Sequence, residues 1–598
     1  MLKFFNSKFN KNNNYHKGIT LIEVVIGLGL MAILIQAVYF GFSNVLEATG
    51  KDKSRFDGIA ILEKEIEIIR NMPFSDVGIS GGYPSGKLLA EKNIQLGQQT
   101  FIIKTTVRNI DDSFDGTIGG NPNDTAPADY KLIELEVSCN NCYYFKPIHM
   151  NTTVAPQGLE SDSNNGSLFI NVFDANGQPV SSVDVEVVNN ALNPIITIND
   201  NTNINGILQL VDIPTSTSAY EITVSKSGYS SDKTYPIGGA GNPNPNKPHA
   251  TIGQQQITQI SFSIDKVSSL NIASIDKMCQ AVPNVDFLQE GIKTIGAPDV
   301  LKYSVSSATN SNGLKTISGL EWDSYNFLNQ DDVYDFSGTM PFLPIAVNPD
   351  TASDLKLIME QKNPLAFLVS VSDENGLPIK GASVELSKIG FNQTVLTGKK
   401  NIIKTDWSGG NYFEQSGGVE VDNPAGEMKL KIIDGKYSTS SAEWLISNTI
   451  DFGTSTTEFF ELSWNPESQP PQAGNDSLKF QIAANNDNAT WNFIGPDGSA
   501  GSFYTASGGQ ISASQNGNRY LKIRAYLQTA DENYTPILED FTISFYSGCV
   551  PAGQALFGGL NSDTYSLTVQ KTGYASSTEP GLSIFNSWQE YKATLNSN

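Results

Sequence analysis

Histidine and cysteine are scarce in this 598-residue chain: His16, His149 and His249 are the three histidines, and Cys139, Cys142, Cys279 and Cys549 the four cysteines. Three scattered imidazoles exclude a recognisable catalytic triad and leave a zinc site short of nitrogen ligands. Four cysteines are too few for a disulfide-built scaffold at this length. There is no nucleophile elbow, P-loop, His-Glu-x-x-His helix, doubled Cys-x-x-Cys or dinucleotide fingerprint, so no enzyme activity is expected. Carboxylate pairs for glycoside cleavage are not legible here, because a β-sandwich can bring any two acids together. Basic charge is also in deficit, with 39 Lys and Arg against 62 Asp and Glu and a net charge of −23. The acids are dispersed, which reads as a solvated exterior and argues against a nucleic-acid-binding body with its basic stripe. What is plentiful is Asn, Ser, Thr and Gly around alternating Val, Ile, Tyr and Phe, the composition of extracellular β modules. The length allows about four domains.

The departure from this polar character is "ITLIEVVIGLGLMAILIQAVYFGF", residues 19–42. At 1.5 Å per residue it crosses about 30 Å of hydrocarbon. The 18 residues before it carry Lys3, Lys8, Lys11 and Lys17 and no acid, which keeps that end in the cytoplasm. A secretory signal would have a shorter apolar core followed by a small-residue cleavage site; here Gly18 precedes the run. Glu23 lies inside it, where a lone carboxylate costs about 2.5–3.5 kcal/mol.

The order basic leader, glycine, then "ITLIE" resembles the class III signal of type IV pilins and pseudopilins. That resemblance implies cleavage by a prepilin peptidase between Gly18 and Ile19, methylation of the new amino terminus at Ile19, and an assembly role for Glu23 at the fifth mature position. The family usually has Phe or Met first, where this chain has Ile19. The physics agrees with the resemblance, since a carboxylate buried in a filament is tolerable if a neighbouring subunit's α-ammonium pairs with it. An ordinary membrane anchor with Glu23 near the interface is the alternative.

Helical pattern continues to residue 71, with Ile59, Leu62, Ile66 and Ile69 forming a stripe, and Gly27, Gly29, Gly41 and Gly58 softening the rod. Pro73 ends it. Strands are expected over 99–110, 129–139 and 146–156. The "DYK" segment and the "TTVAP" exit are similar to those of minor pilins and pseudopilins. Between the strands lie Asp111, Asp112, Asp115, Asp124 and Asp129, with Asp111, Asp112 and Asp115 the leading candidate Ca²⁺ ligands; a solvated Asx-rich loop is the other reading, and no other cofactor is expected. The Cys139-x-x-Cys142 pair reads as a zinc half-site, a redox motif or a local disulfide, and the disulfide is favoured if the body is exported. Whether Cys279 and Cys549 pair is not legible.

Two stretches repeat. "INVFDANGQPVSSVDVEVVN" (170–189) matches "VSVSDENGLPIKGASVELSK" (369–388), and "YEITVSKSGYSS" (220–231) matches "YSLTVQKTGYAS" (565–576). The shared form is strand, Asp-x-Asn-Gly-x-Pro turn, strand. It resembles the carboxypeptidase-regulatory-like, or prealbumin-like, β-sandwich, a scaffold without catalytic residues. A weaker copy spans 279–291 and 319–327. The last copy is divided, so an inserted domain is expected, and its "RYLKIRAYL" segment resembles jelly-roll modules. Alternation there puts Tyr520, Lys522, Arg524 and Tyr526 on one face. Trp491, Phe493, Tyr504 and Tyr534 are candidate sugar-stacking aromatics, with burial in the core as the competing reading.

The expected fold is therefore an α+β pilin-like amino-terminal part, a long helix plus an antiparallel sheet, followed by all-β sandwich domains. The expected division is a leader (1–18); a pilin-like unit (19–157) with helix 19–71 and membrane part 19–42; a first sandwich (160–266); a divergent second (267–360); a third in two pieces (361–400 and 549–598); and an insert (401–548). The leading functional reading is a minor type IV pilin-like subunit displaying an adhesive head. Its partners would be other pilin subunits through the helix, the prepilin peptidase, the inner membrane, and a surface glycan or protein ligand, with no nucleic acid. It would be anchored in the inner membrane before assembly and on a surface filament afterwards. A pseudopilin of a type II secretion or DNA-uptake system, and a non-assembling membrane-anchored binding protein, are the alternatives.

Overall fold

The computed structural model describes residues 20–142, 144–157 and 163–598. One helix, Leu21–Arg70, runs for 50 residues, about 75 Å. It is long and apolar enough to cross a membrane. Its first half stands clear of the other described residues, with Leu21, Leu28, Ile33, Val38 and Phe42 all exposed. Its second half packs through Ser54, Gly58, Ile61, Leu62 and Ile69. The buried stripe is thus turned from the expected one: Ile59 lies at its edge, and Gly58 and Ile61 take the centre. Gly58 serves close packing, because a Cβ there would sit 2.9 Å from Cζ of Phe145.

The helix packs on a four-stranded antiparallel sheet in the order Glu91–Leu96, Gln99–Ile110, Tyr130–Asn140, Ile148–Val154. Phe101, Ile103, Val107, Ile133, Leu135 and Val137 alternate inward to meet Leu62 and Ile69. The first strand was not foreseen: it is an edge strand whose side chains are mostly exposed, so its sequence carries little alternation.

Three sandwiches follow, and each closes in the same way, with its last strand parallel to its first. Ile257–Ser263 lies beside Gly166–Phe173, Ala352–Gln361 beside Ser268–Ile275, and Trp588–Leu595 beside Ala366–Asp373. Each opens with the same turn. Asp174, Asp276 and Asp373 accept hydrogen bonds from the backbone amides two and four residues on, at 2.8 to 2.9 Å. The fourth position of that turn has positive φ in every copy: Gly177 at 76°, Cys279 at 61° and Gly376 at 79°. Each sandwich also buries one tyrosine whose hydroxyl donates to a backbone carbonyl upstream: Tyr220 to Pro214 (2.6 Å), Tyr325 to Glu321 (2.8 Å) and Tyr565 to Asn561 (2.9 Å).

In the third sandwich Ser383–Lys388 pairs with Asp563–Gln570, and Ala366–Asp373 with Gln554–Phe557. The residues between form their own core around Trp407, Phe452, Phe480, Phe541 and Phe545. Its first strand, Lys400–Lys404, pairs with its last, Asp540–Tyr546, so the chain leaves and re-enters the sandwich at one place.

The modules are tied to one another. The Arg108 guanidinium on the pilin-like sheet makes a bidentate pair with Asp200 of the first sandwich and lies 2.9 Å from Glu134. Lys266 and Asp350 pair at 2.6 Å between the first and second sandwiches. Trp588 of the third donates to the Phe336 carbonyl of the second at 2.9 Å.

Candidate functional site

Gly18 and Ile19 lie outside the described residues. Glu23 lies on the first turn of the helix and reaches back to Thr20, its carboxylate accepting from the Thr20 amide (3.0 Å) and hydroxyl (2.9 Å), while Thr20 Oγ1 accepts from the Glu23 amide at 3.4 Å. This is a capping box, which satisfies amide donors that a helix start leaves orphaned. It does not neutralise the charge. Among the described residues no cation pairs with Glu23, and the next charged residue along the helix is Glu47. A carboxylate at the tip of an exposed apolar rod is thus left without a charge partner among the described residues.

The acidic loop differs from expectation. Asp111 does not join Asp112 and Asp115; its carboxylate turns to accept from the Ile118 amide at 2.9 Å. The residue that joins them is Asp129, and one ligand oxygen from each of Asp112, Asp115 and Asp129 lies within 4.8 Å of the others. Those are the residues able to hold a hard cation such as Ca²⁺. Asp129, one of the five acids of this loop, folds back from just before the next strand so that it accepts from the Asp112 amide. Burial, and then the neighbouring acids, push Asp111 up to about 6 and raise Asp129 above the usual carboxylate range.

Both cysteine pairs are joined, Cys139 to Cys142 and Cys279 to Cys549, with Cα separations of 5.7 and 5.4 Å. The second spans 270 residues of sequence and ties the opening turn of the second sandwich to the point where the chain returns from the insert.

The four candidate aromatics divide. Tyr504 is a core residue, 2% exposed, its hydroxyl accepting from the Ser512 amide; it fills the insert's interior because its strand segment bridges to Phe480. Tyr534 is exposed and takes no part in the insert's ring–cation contacts among the described residues. Trp491 and Phe493 lie on the outer face of the Tyr520–Leu527 strand, over Lys522 (4.6 Å) and Arg524 (4.1 Å). Phe413 and Trp444 complete this array, 2.9 Å from the Lys522 ammonium and 5.1 Å from the Arg524 guanidinium. Neither is among the sequence candidates, since Phe413 comes from the bend before Glu414–Gln415 and Trp444 from the strand Glu443–Ile446; the alternation of Lys522 and Arg524 is the signal that such a face exists. Lys522 is 2% exposed, has no carboxylate in ion-pair range among the described residues, and is lowered from the usual lysine range by burial. Its charge rests on ring faces instead.

No family model matches the sequence, and no curated protein matches it. Among solved structures, the Bacillus anthracis TIE protein is 12% identical over 53% of this chain, with a TM-score of 0.15; the chain spans about half of that protein's length, 55%. A Streptococcal ancillary pilin is 9% identical over 38% of this chain and 75% of its own, at a TM-score of 0.17. GBS52, the minor pilin of Streptococcus agalactiae, is 11% identical over 33% of this chain and 96% of its own, also at 0.17. Superpositions this loose carry no argument about the function of this chain.

Proposed function

We propose that this chain is a low-copy subunit of a type IV pilin-like filament that carries a large binding head. It enters the inner membrane through residues 19–42, is cut by a prepilin peptidase between Gly18 and Ile19, and is methylated on Ile19. Its helix then packs among those of other pilin subunits. The observation that carries this reading is Glu23, without a cation among the described residues, at the start of an apolar helix whose first half no described residue covers. Burying that half against other helices removes apolar surface from lipid or water, and a neighbour's new amine supplies the cation Glu23 lacks. The body is large to repeat densely, which favours a tip or sparse position. The body is exported and non-enzymatic, and the Phe413–Lys522–Trp491 face of the insert is its candidate ligand platform. Deleting the prepilin peptidase tests the assignment: the chain should retain its leader mass and disappear from sheared filaments. Unchanged mass and unchanged surface display between the two strains would remove it.

A further inference from the structure

A cavity of about 350 Å³ lies between the first and second sandwiches, away from the helix and from the insert's aromatic face. Such a volume suits a small ligand, and boundaries between domains are where ligand cavities commonly form. Tyr235 and Trp322 line it together with three lysines, Lys247, Lys293 and Lys302, and two acids, Asp232 and Glu321. Lys247 pairs with Asp232. Lys302 lies 2.7 Å from Glu321 and 3.8 Å from Asp232. Lys293 lies 2.8 Å from Glu321, with its ammonium 3.4 Å from the centroid of the Trp322 ring.

Three ammonium groups thus face two carboxylates, in a chain that is otherwise strongly acidic. Asp323, whose oxygens accept from the backbone amides of Lys293 (3.1 Å) and Ser324 (2.8 Å), adds a third carboxylate, because amide hydrogen bonds leave its charge in place. Lys233, 5.4 Å from the Tyr235 ring, adds a further cation. An ammonium has three donors, and Lys247 and Lys293 each spend one on a carboxylate. The cavity therefore offers spare donors, one ammonium more than its carboxylates, and two aromatic rings, of which Trp322 has one face covered by the Lys293 ammonium and the other left for a ligand. A carboxylate satisfies the first two, and an apolar ring face suits the third.

We propose that this cavity is a binding site for an acidic sugar residue, with its carboxylate taken by Lys247 and Lys293 and its ring set against Tyr235 and Trp322. The site stands apart from the filament assignment and would operate in any exported body. Isothermal titration calorimetry on the full chain in detergent tests it with three probes: glucuronate, which has charge and ring; glucose, which has the ring; and acetate, which has the charge. Glucuronate should bind saturably and more weakly at high salt, with the other two at least about tenfold weaker. Trp322→Ala should weaken glucuronate about tenfold. Lys293→Gln, which keeps the side chain's length close to that of the original, provides the second variant if thermal melting shows that the first has lost its fold. Absence of glucuronate binding, equal binding of glucose or acetate, or glucuronate affinity unchanged in the folded variants would overturn the proposal.

Discussion

Cys279 is disulfide-bonded to Cys549, and it occupies, at φ 61°, the turn position that glycine holds in the first and third sandwiches. One residue thus does two jobs, turning the chain and tying the second sandwich to the root of the insert. Its two roles are separable. Cys279→Gly should lose the tie but keep the turn, lowering stability by about 2–4 kcal/mol. Cys279→Ala should cost roughly 1–2 kcal/mol more, because a Cβ-bearing residue is strained at positive φ without the tie to hold it. Thermal melts of the two variants, compared with the wild type under reductant, measure the difference. Equal melts for Gly and Ala would contradict it.

The buried tyrosines make a parallel claim about the three sandwiches. Replacing Tyr220, Tyr325 or Tyr565 with Phe removes one hydrogen bond and leaves a backbone carbonyl short of a partner, at a cost of about 1 kcal/mol each. The effect should be local to the altered sandwich. Hydrogen exchange resolved by peptide should show faster exchange in that module alone.

The acidic loop gives a pH dependence whose sign follows from burial. Asp111 is raised from 3.8 to about 6 in the folded chain, so folding favours its protonated form. That contribution is fully present below about pH 3.8 and is lost as pH rises through about 6. Asp111→Asn should therefore melt higher than the wild type at pH 7, and the gap should close as pH falls below 4. A gap that widens on acidification would contradict this reading.

Where the sequence was informative, the reason is periodic. The apolar stripe of the helix, the alternation in 99–110 and 129–139, and the Asp-x-Asn-Gly turn are local patterns, visible without the fold. What stayed hidden depends on distance. The edge strand Glu91–Leu96 has no buried face to write an alternation into its residues. Phe413, just before the strand Glu414–Gln415, and Trp444, within Glu443–Ile446, join the insert's array from segments far apart in sequence, and no spacing rule connects them. The Ile59 stripe missed its phase because Gly58 counts as a helix breaker in isolation, and only Phe145 reveals it as a contact. Tyr504 fell to the core because a tyrosine on a strand reads the same from either face.

The central claim is that Glu23 carries its charge for assembly. Glu23→Gln tests it most directly, since Gln keeps the reach of the capping box to Thr20 but has no charge to offer an incoming amine. The measurement is the amount of chain recovered in sheared filaments beside the mass of the processed protein. Cleavage after Gly18 should be normal, and incorporation should fall on the order of a hundredfold, the scale of about 3 kcal/mol for breaking a buried charge pair. Incorporation at the wild-type level by the Gln variant would show that the helix cap is the whole purpose of Glu23 and that its charge has no part in assembly.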